Sequence, residues 1–174
     1  MLAATLTVLR TFVGICTFQL APQDIPRSSA LLLVSTLCNV ALSMTICWFE
    51  SSFGYAMFKA VLESGMLFVL TFTLLSLMSY RRRLMQTMTA LMGTEAVLGG
   101  VALLTMLLAP LLPTPLALAV LYVNFVLNLL VIAHILRHAL GTWFLVGLLF
   151  AMGYALVLKK FFLLADALIG VAPV

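Results

Sequence analysis

Charged residues are scarce in this chain. Of its 174 residues only 8% are Asp, Glu, Lys or Arg, whereas 65% are hydrophobic, and the mean hydropathy is +1.27. Because a soluble domain carries roughly a quarter of charged residues, this composition excludes a water-soluble globule. The apolar residues occur in blocks rather than in alternation, which favours membrane-spanning helices over a membrane β-barrel.

The residue patterns of catalytic and metal sites are also lacking. The three cysteines, Cys16, Cys38 and Cys47, are widely spaced and form no CxxC pair. We interpret them as reduced, buried thiols that pack like small hydrophobic residues. No nucleophile constellation, phosphate loop or paired carboxylate motif is present in the sequence. We therefore expect a protein without enzymatic activity, cofactor or bound metal.

The basic residues, which give a formal net charge of +4, stand singly or in short groups at the ends of apolar runs. This placement is typical of topology signals, so we expect no nucleic-acid partner. The densest group is Arg81–Arg83. Three adjacent guanidiniums cannot lie in the ~30 Å hydrocarbon layer, so the chain must surface there and turn back. Because Lys and Arg mark the side that is not translocated, the turn is predicted to be cytoplasmic.

The apolar blocks predict an all-α, polytopic membrane bundle of about five transmembrane helices. Each block is long enough to cross the bilayer at 1.5 Å per helical residue. The predicted spans are about 30–48, 56–78, 84–108, 116–135 and 142–158. In this interpretation Lys159 and Lys160 end the last span. The segment that follows them either lies in the outer interface or extends the helix.

An amphipathic helix is predicted before the spans. Apolar residues recur there at steps of three and four, namely Leu2, Leu6, Leu9, Val13, Cys16 and Leu20. A membrane crossing would put Arg10 in mid-span, so we expect the helix to lie in the cytoplasmic interface, where it can also dock on the bundle. The predicted organisation is an interfacial helix over 1–20, a proline-containing linker over 21–29, the bundle over 30–164 and a tail over 165–174.

The distribution of basic residues predicts the orientation of the bundle. A cytoplasmic N-terminus puts six arginines on the cytoplasmic side and three lysines on the opposite side, which fits a C-terminus outside. The arginines are Arg10, Arg27, Arg81, Arg82, Arg83 and Arg137, and the lysines are Lys59, Lys159 and Lys160. Lipid head-group contacts or a topogenic role are expected for Arg81, Arg82, Arg83, Arg137 and His138.

Glu95 lies near the middle of the third predicted span. An ionised, unpaired carboxylate at that depth costs several kcal/mol, so we expect Glu95 to be protonated, paired or exposed to a water-filled cavity. Asn124 and Asn128 share one face of the next span, and with Asn39 they are the expected hydrogen-bond partners. Such a midplane cluster fits either a proton or solute path or a bundle held together by buried polar contacts.

Two other pairs of ionisable residues are spaced four residues apart, one turn of a helix. Lys59 precedes Glu63 by one turn, which predicts an interfacial ion pair. His134 and His138 have the spacing of a helical metal pair, but the segment lacks the glutamate of the HExxH zinc motif and supplies two ligands only. An interfacial, pH-sensitive pair near lipid phosphates is therefore favoured over a metal site.

Small residues at four-residue spacing predict close helix packing on two of the spans. They are Ala96 and Gly100 on the third span, and Gly147, Ala151 and Ala155 on the fifth.

Three stretches of the chain carry a resemblance to known proteins. They read PQDIP at 22–26, QTMTALMGT at 86–94 and HILRHAL at 134–140. Their order and spacing resemble small proteobacterial inner-membrane proteins of unassigned function, and the five-span layout is similar to that of Yip1-type membrane proteins. The resemblance implies a helical fold in the bacterial inner membrane. Eukaryotic Yip1-type proteins act in membrane trafficking through partners, and no catalytic residue is implied.

We therefore expect a non-enzymatic integral inner-membrane protein that acts as a partner-binding, assembly or lipid-contacting component. Its expected partners are membrane lipids and either other integral membrane proteins or further copies of itself. The alternative is a small, proton-linked transporter or channel that uses Glu95, Asn124 and Asn128. An enzyme that acts on lipid head groups through Glu63, His134 and His138 ranks last, because these residues fall toward opposite faces of the predicted bundle.

Overall fold

The computed structural model describes residues 2–49 and 51–169, and the side chains of 7–49 and 51–167. Within these ranges the chain forms six α-helices, three single turns of 3-10 helix and no β-strand, so the fold is all-α, as predicted. The helices are α1 (Leu2–Cys16), α2 (Ser29–Trp48), α3 (Phe53–Leu77), α4 (Leu84–Leu108), α5 (Thr114–Leu140) and α6 (Phe144–Ile169).

Helices α2 to α6 are each long and apolar enough to cross a membrane, which makes the chain a multi-pass membrane protein. From α2 to α6 short loops join successive helices, so neighbours in sequence run antiparallel. One end of the bundle carries Arg81–Arg83 and Arg137, and we call it the arginine end. The other carries Lys59 and Asp166, and we call it the lysine end.

Capping interactions at the arginine end fix the start of α2 and the end of α5. The Ser28 hydroxyl accepts a hydrogen bond from the Leu31 amide, 3.3 Å away, and so caps the start of α2. Gly141 follows α5 in the left-handed conformation, with φ of +65°, which a residue without Cβ adopts without strain. The Arg83 guanidinium donates to the His138 and Ala139 carbonyls at 3.1 and 3.0 Å. These bonds satisfy carbonyls that the last turn of α5 leaves free.

The last helix is longer than the fifth predicted span. It runs through Lys159 and Lys160 to Ile169, so the segment after the lysines extends the helix rather than leaving it. The sequence explains this, because it contains no glycine or proline between Lys159 and Ile169. Both lysine side chains are exposed, and their long stems allow the ammonium groups to reach toward an interface.

The N-terminal helix docks on the bundle. Phe12, Ile15 and Cys16 are buried in the main core, against residues of α4 and α5. Of the three cysteines only Cys16 is buried, and the predicted burial of Cys38 is wrong, because it lies on an exposed face of α2. Leu9 and Val13 are exposed on another face, where they can contact hydrocarbon. The predicted single stripe is therefore divided between two faces, because bulky Phe12 and Ile15 define the docking side. The side chains of Leu2 and Leu6, which the prediction also included, lie outside the described residues.

Glycine allows the closest approaches in the core. A Cβ on Gly147 would lie 2.4 Å from the Ala133 carbonyl oxygen, so α5 and α6 pack there backbone to backbone, beside the fully buried Ala151. Gly100, for which we expected the same role, has open space where a side chain would project. Gly93, for which no packing role was expected, lies directly under the Phe12 ring of α1.

Candidate functional site

Two adjoining cavities lie between α3 and α6, with α4 and α5 behind them. The cavity nearer the arginine end is about 270 Å³ and is lined almost entirely by apolar side chains, so we call it the apolar cavity. The cavity nearer the lysine end is about 440 Å³ and holds most of the charged residues of the bundle interior, so we call it the polar cavity. Ile132 and Tyr154 line both. Together the two form the α3–α6 gap.

The polar cavity contains the two carboxyl groups that the sequence places inside the membrane. Glu95 of α4 accepts a hydrogen bond from the Asn128 side chain of α5, 2.8 Å away, as expected. Glu63 of α3 accepts a hydrogen bond from the Ser43 hydroxyl of α2. Both carboxyl groups line the cavity, so each has one protein partner and one side toward open space.

An ion pair lies at the lysine end of the polar cavity. Lys59 Nζ is 3.2 Å from the Asp166 carboxylate, which also accepts a hydrogen bond from the Tyr55 hydroxyl. The same ammonium lies over the rings of Tyr55 and Phe162, at 4.7 and 5.5 Å from their centroids. The predicted pair between Lys59 and Glu63 is therefore wrong. The extension of α6 brings Asp166 to Lys59, and Ser43 binds Glu63 instead.

The other two asparagines of the expected midplane cluster do not reach Glu95. Asn124 donates to the Leu98 backbone carbonyl at 3.3 Å. Asn39 donates to the Ser64 hydroxyl at 3.3 Å and to the Met92 sulfur at 3.7 Å. Asn39 therefore joins α2 to α3 and α4, away from the polar cavity, and the predicted cluster reduces to Glu95 and Asn128.

The apolar cavity has a buried floor and an exposed rim. Leu67, Leu91 and Leu136 form the floor and are nearly inaccessible. Leu149 and Val157 of α6 form part of the rim and are exposed. In a bilayer the exposed faces of these helices contact acyl chains, so the cavity opens sideways toward lipid rather than toward water.

The two histidine rings contact each other edge-on, with 4.7 Å between their centroids, but only His134 is buried. His134 is buried and its Nε2 is 3.1 Å from the Leu20 carbonyl, with the Phe18 ring packed edge-on at 5.2 Å. It is therefore covered by the turn after α1, and its predicted position near lipid phosphates is wrong. The structure shows no group of three or more potential metal-ligating residues within its described ranges.

The arginines of the arginine end are also divided. Arg81 donates from Nε to the Ser76 hydroxyl at 3.1 Å, and Arg82 is exposed. Arg83 instead donates to the His138 carbonyl at the end of α5. There Arg137 Nη2 lies 3.2 Å from His138 Nε2. Of the predicted head-group residues, the structure thus brings three together and leaves two at the surface of the turn.

Several residues of the α3–α6 gap were missed from the sequence. Asp166 falls in the predicted tail and Lys159 at the end of the fifth predicted span, and no role was expected for Tyr154. A signal was present, because residues 155, 159, 162 and 166 recur at helical spacing and place Ala155, Lys159, Phe162 and Asp166 on one face of α6. That pattern is visible only if the helix continues past the lysines.

Comparison with protein-family models, with curated proteins and with solved structures finds no match for this chain.

Proposed function

We propose that this protein is a non-enzymatic, lipid-contacting component of the membrane that holds one phospholipid in the α3–α6 gap. The observation that carries the proposal is the division of the gap into an apolar and a polar cavity that meet at Ile132 and Tyr154. A phospholipid has the same division between acyl chain and head group. Lateral access past Leu149 and Val157 lets such a molecule enter from the bilayer.

The charges of the polar cavity favour a zwitterionic head group. Lys159 lines the cavity as a cation beside the Lys59–Asp166 pair, and it is placed to bind a lipid phosphate. Carboxyl groups of Glu63, Glu95 and Asp166 line the same space and can accept hydrogen bonds from a lipid ammonium group. A cavity with both signs of charge therefore suits phosphatidylethanolamine better than a purely anionic lipid.

The location in the cell is part of the proposal. The excess of arginine at the arginine end supports an orientation in which that end is cytoplasmic, in the bacterial inner membrane. The five-helix layout is compatible with a Yip1-type relationship and with membrane-protein partners or self-association, and these stay predictions.

The test fills the apolar cavity and measures bound lipid. Gly153 of α6 lines this cavity and has open space where its side chain would project, so Gly153→Phe places a ring in the cavity without a backbone clash. The protein is first placed in nanodiscs of phosphatidylethanolamine and phosphatidylglycerol and is then purified in mild detergent. Bound lipid is counted by native mass spectrometry. We expect one retained phosphatidylethanolamine in the wild type and its loss in Gly153→Phe.

The matched control is Gly100→Phe on α4, which also adds a ring in open space but lines neither cavity. This variant should retain the lipid. Equal retention by both variants, or a wild type that carries no lipid above the level of the detergent blank, would remove the proposal. The same spectra show whether the protein is a monomer, an oligomer or part of a larger assembly.

Proton-linked transport is a second candidate, favoured by one contact. The hydrogen bond between Glu95 and Asn128 lies on the wall of the polar cavity, where a carboxyl group can exchange a proton with water that enters. In proteoliposomes with an imposed pH gradient, Glu95→Gln and Asn128→Leu should then abolish proton flux. Asn124→Leu, which removes an amide that does not contact Glu95, should leave the flux unchanged. Wild-type liposomes without flux above empty ones would exclude this candidate.

A further inference from the structure

A second site lies at the arginine end, apart from the α3–α6 gap. An open cleft of about 550 Å³ forms where the end of α5, the start of α6, the start of α4 and the proline-containing linker meet. Its lining residues are Gln23, Arg83, Arg137, His138, Gly141, Thr142, Trp143 and Phe144. Two of them are arginines, and no carboxylate lines the cleft in the described part of the chain. The cleft therefore presents a net positive charge.

The two guanidiniums are held in place by the fold. Arg83 is anchored through Nη1 on the last carbonyls of α5, and its side chain lies over the Tyr80 ring at 5.0 Å. Arg137 lies over the Phe144 ring at 5.9 Å and contacts His138 Nε2 at 3.2 Å. Because arginine can only donate, that imidazole nitrogen accepts and the ring proton is on Nδ1. These contacts use part of each guanidinium and leave other N–H donors toward the cleft.

The cleft also contains hydrogen-bond donors that the described residues leave without an acceptor. The Thr142 hydroxyl oxygen is buried and makes no hydrogen bond with any described residue. Thr142 precedes α6, whose first amides around Phe144 have no intrahelical acceptor and carry the positive end of the helix dipole. Trp143 stands beside them, 85% exposed, as an aromatic residue typical of the membrane interface. Asp24, on the same turn as Gln23, accepts a hydrogen bond from the Ala21 amide and does not line the cleft.

We propose that this cleft binds a phosphate group, held by the guanidiniums of Arg83 and Arg137, the Thr142 hydroxyl and the first amides of α6. Two anchored arginines beside a helix N-terminus supply the planar and backbone donors that phosphate oxygens accept. The phosphate belongs either to the head group of a lipid in the leaflet at the arginine end or to a small soluble phosphate. This site lies at the opposite end of the bundle from the polar cavity, so it stands or falls independently of the lipid in the gap.

Trp143 reports occupancy. A Trp48→Phe background leaves Trp143 as the single tryptophan, since the sequence contains two. The detergent-solubilised protein is titrated with inorganic phosphate in one series and with dihexanoyl phosphatidylglycerol in another, at constant ionic strength, and tryptophan emission is recorded. Saturation by the lipid alone identifies a head-group site, and saturation by inorganic phosphate identifies a site for free phosphate. Either result, if it depends on Arg137, supports the proposal.

Arg137→Gln should lower the affinity for the saturating ligand about tenfold or more, because it removes charge-assisted hydrogen bonds. Arg82→Gln is the matched control, since Arg82 is an exposed neighbour of Arg83 that does not line the cleft, and it should bind like the parent. Arg137→Lys keeps the charge, so a partial loss should follow if the fold tolerates it while Arg137→Gln does not. A linear, non-saturating response to both ligands, or equal affinities in Arg137→Gln and Arg82→Gln, would overturn the proposal.

Discussion

Lys59 of α3 and Asp166 of α6 form an ion pair with 3.2 Å between ammonium and carboxylate, at the lysine end of the gap between these helices. The pair joins two helices that are far apart in sequence and closes one end of the polar cavity. It also gives Lys59 a carboxylate partner at this end of an apolar bundle. Lys159 and Lys160 lie exposed on a helix that continues to Ile169.

A double-mutant cycle tests the coupling of α3 to α6. Lys59→Met and Asp166→Asn should each lower the unfolding temperature in detergent, because each leaves the other group without its charged partner. The double variant should recover part of the loss, with a coupling free energy of about 1 kcal/mol for a partly exposed pair. Additive effects of the two changes would show that the pair contributes nothing to the joining of the helices.

The close approach of α5 and α6 predicts a strong effect at one glycine. Gly147→Ala should lower the free energy of unfolding by about 1–3 kcal/mol, because its Cβ would overlap the Ala133 carbonyl oxygen. Gly153→Ala on the same helix meets open space and should leave stability unchanged or raise it slightly. Thermal unfolding in detergent compares the two, and equal effects would contradict the packing described here.

Docking of α1 depends on the contact between Phe12 and Gly93. In a Cys38→Ser, Cys47→Ser background, Cys16 is the single thiol, and burial raises its pKa to about 11. A thiol with that pKa is protonated in nearly every molecule at pH 8, so labelling by a water-soluble maleimide should be slow. Gly93→Ala overlaps the Phe12 ring and should speed labelling at least tenfold by releasing α1.

A smaller side chain supplies the control for that prediction. Phe12→Leu in the Gly93→Ala background makes room for the added methyl group and should slow the labelling of Cys16 again. Labelling at one rate in all three proteins would contradict a docked α1.

Gln86 ties the proline-containing linker to α4. Its side-chain amide donates to the Gln23 carbonyl at 3.1 Å and to the Ile25 carbonyl at 2.7 Å, and its oxygen accepts from Arg27. Gln86→Leu should lower the free energy of unfolding by about 1–3 kcal/mol and speed proteolysis within 21–29. The Gln23 and Ile25 carbonyls and the Arg27 guanidinium would then lose a hydrogen-bond partner. Gln19→Leu, at an exposed position, is the control and should be cleaved at the parental rate.

The sequence was sufficient to predict the number of membrane-spanning helices and the turns between them, although not the end of α6, because the causes are local. Long apolar blocks, prolines after α4 and the arginines before it determine where the chain can cross and where it must turn. The hydrogen bond between Glu95 and Asn128 could also be predicted, because the two side chains were placed at a similar depth on consecutive helices. This inference required only the positions of these two residues within their own spans.

Most side-chain contacts between helices depend on which helix faces meet, and the periodicity of the sequence does not determine that. Asn39 is predicted at a similar depth to Glu95 but bonds to Ser64 of α3 instead. Lys59 has Glu63 one turn away and bonds to Asp166, which is 107 positions later in the sequence. The basic residues likewise indicated an interface, whereas the cleft of Arg83 and Arg137 requires three loops to converge. Such sites arise from tertiary packing alone.

The most direct test of a lipid in the α3–α6 gap is photo-crosslinking with a phosphatidylethanolamine that carries a diazirine in its acyl chain. In nanodiscs, annular lipid reaches exposed residues such as Leu33 and Leu37 of α2, whereas Leu67, Leu91 and Leu136 are buried at the floor of the apolar cavity. The proposal predicts adducts on these floor residues in the parent protein and their loss in Gly153→Phe. Adducts confined to the exposed faces, with none on the floor, would contradict it.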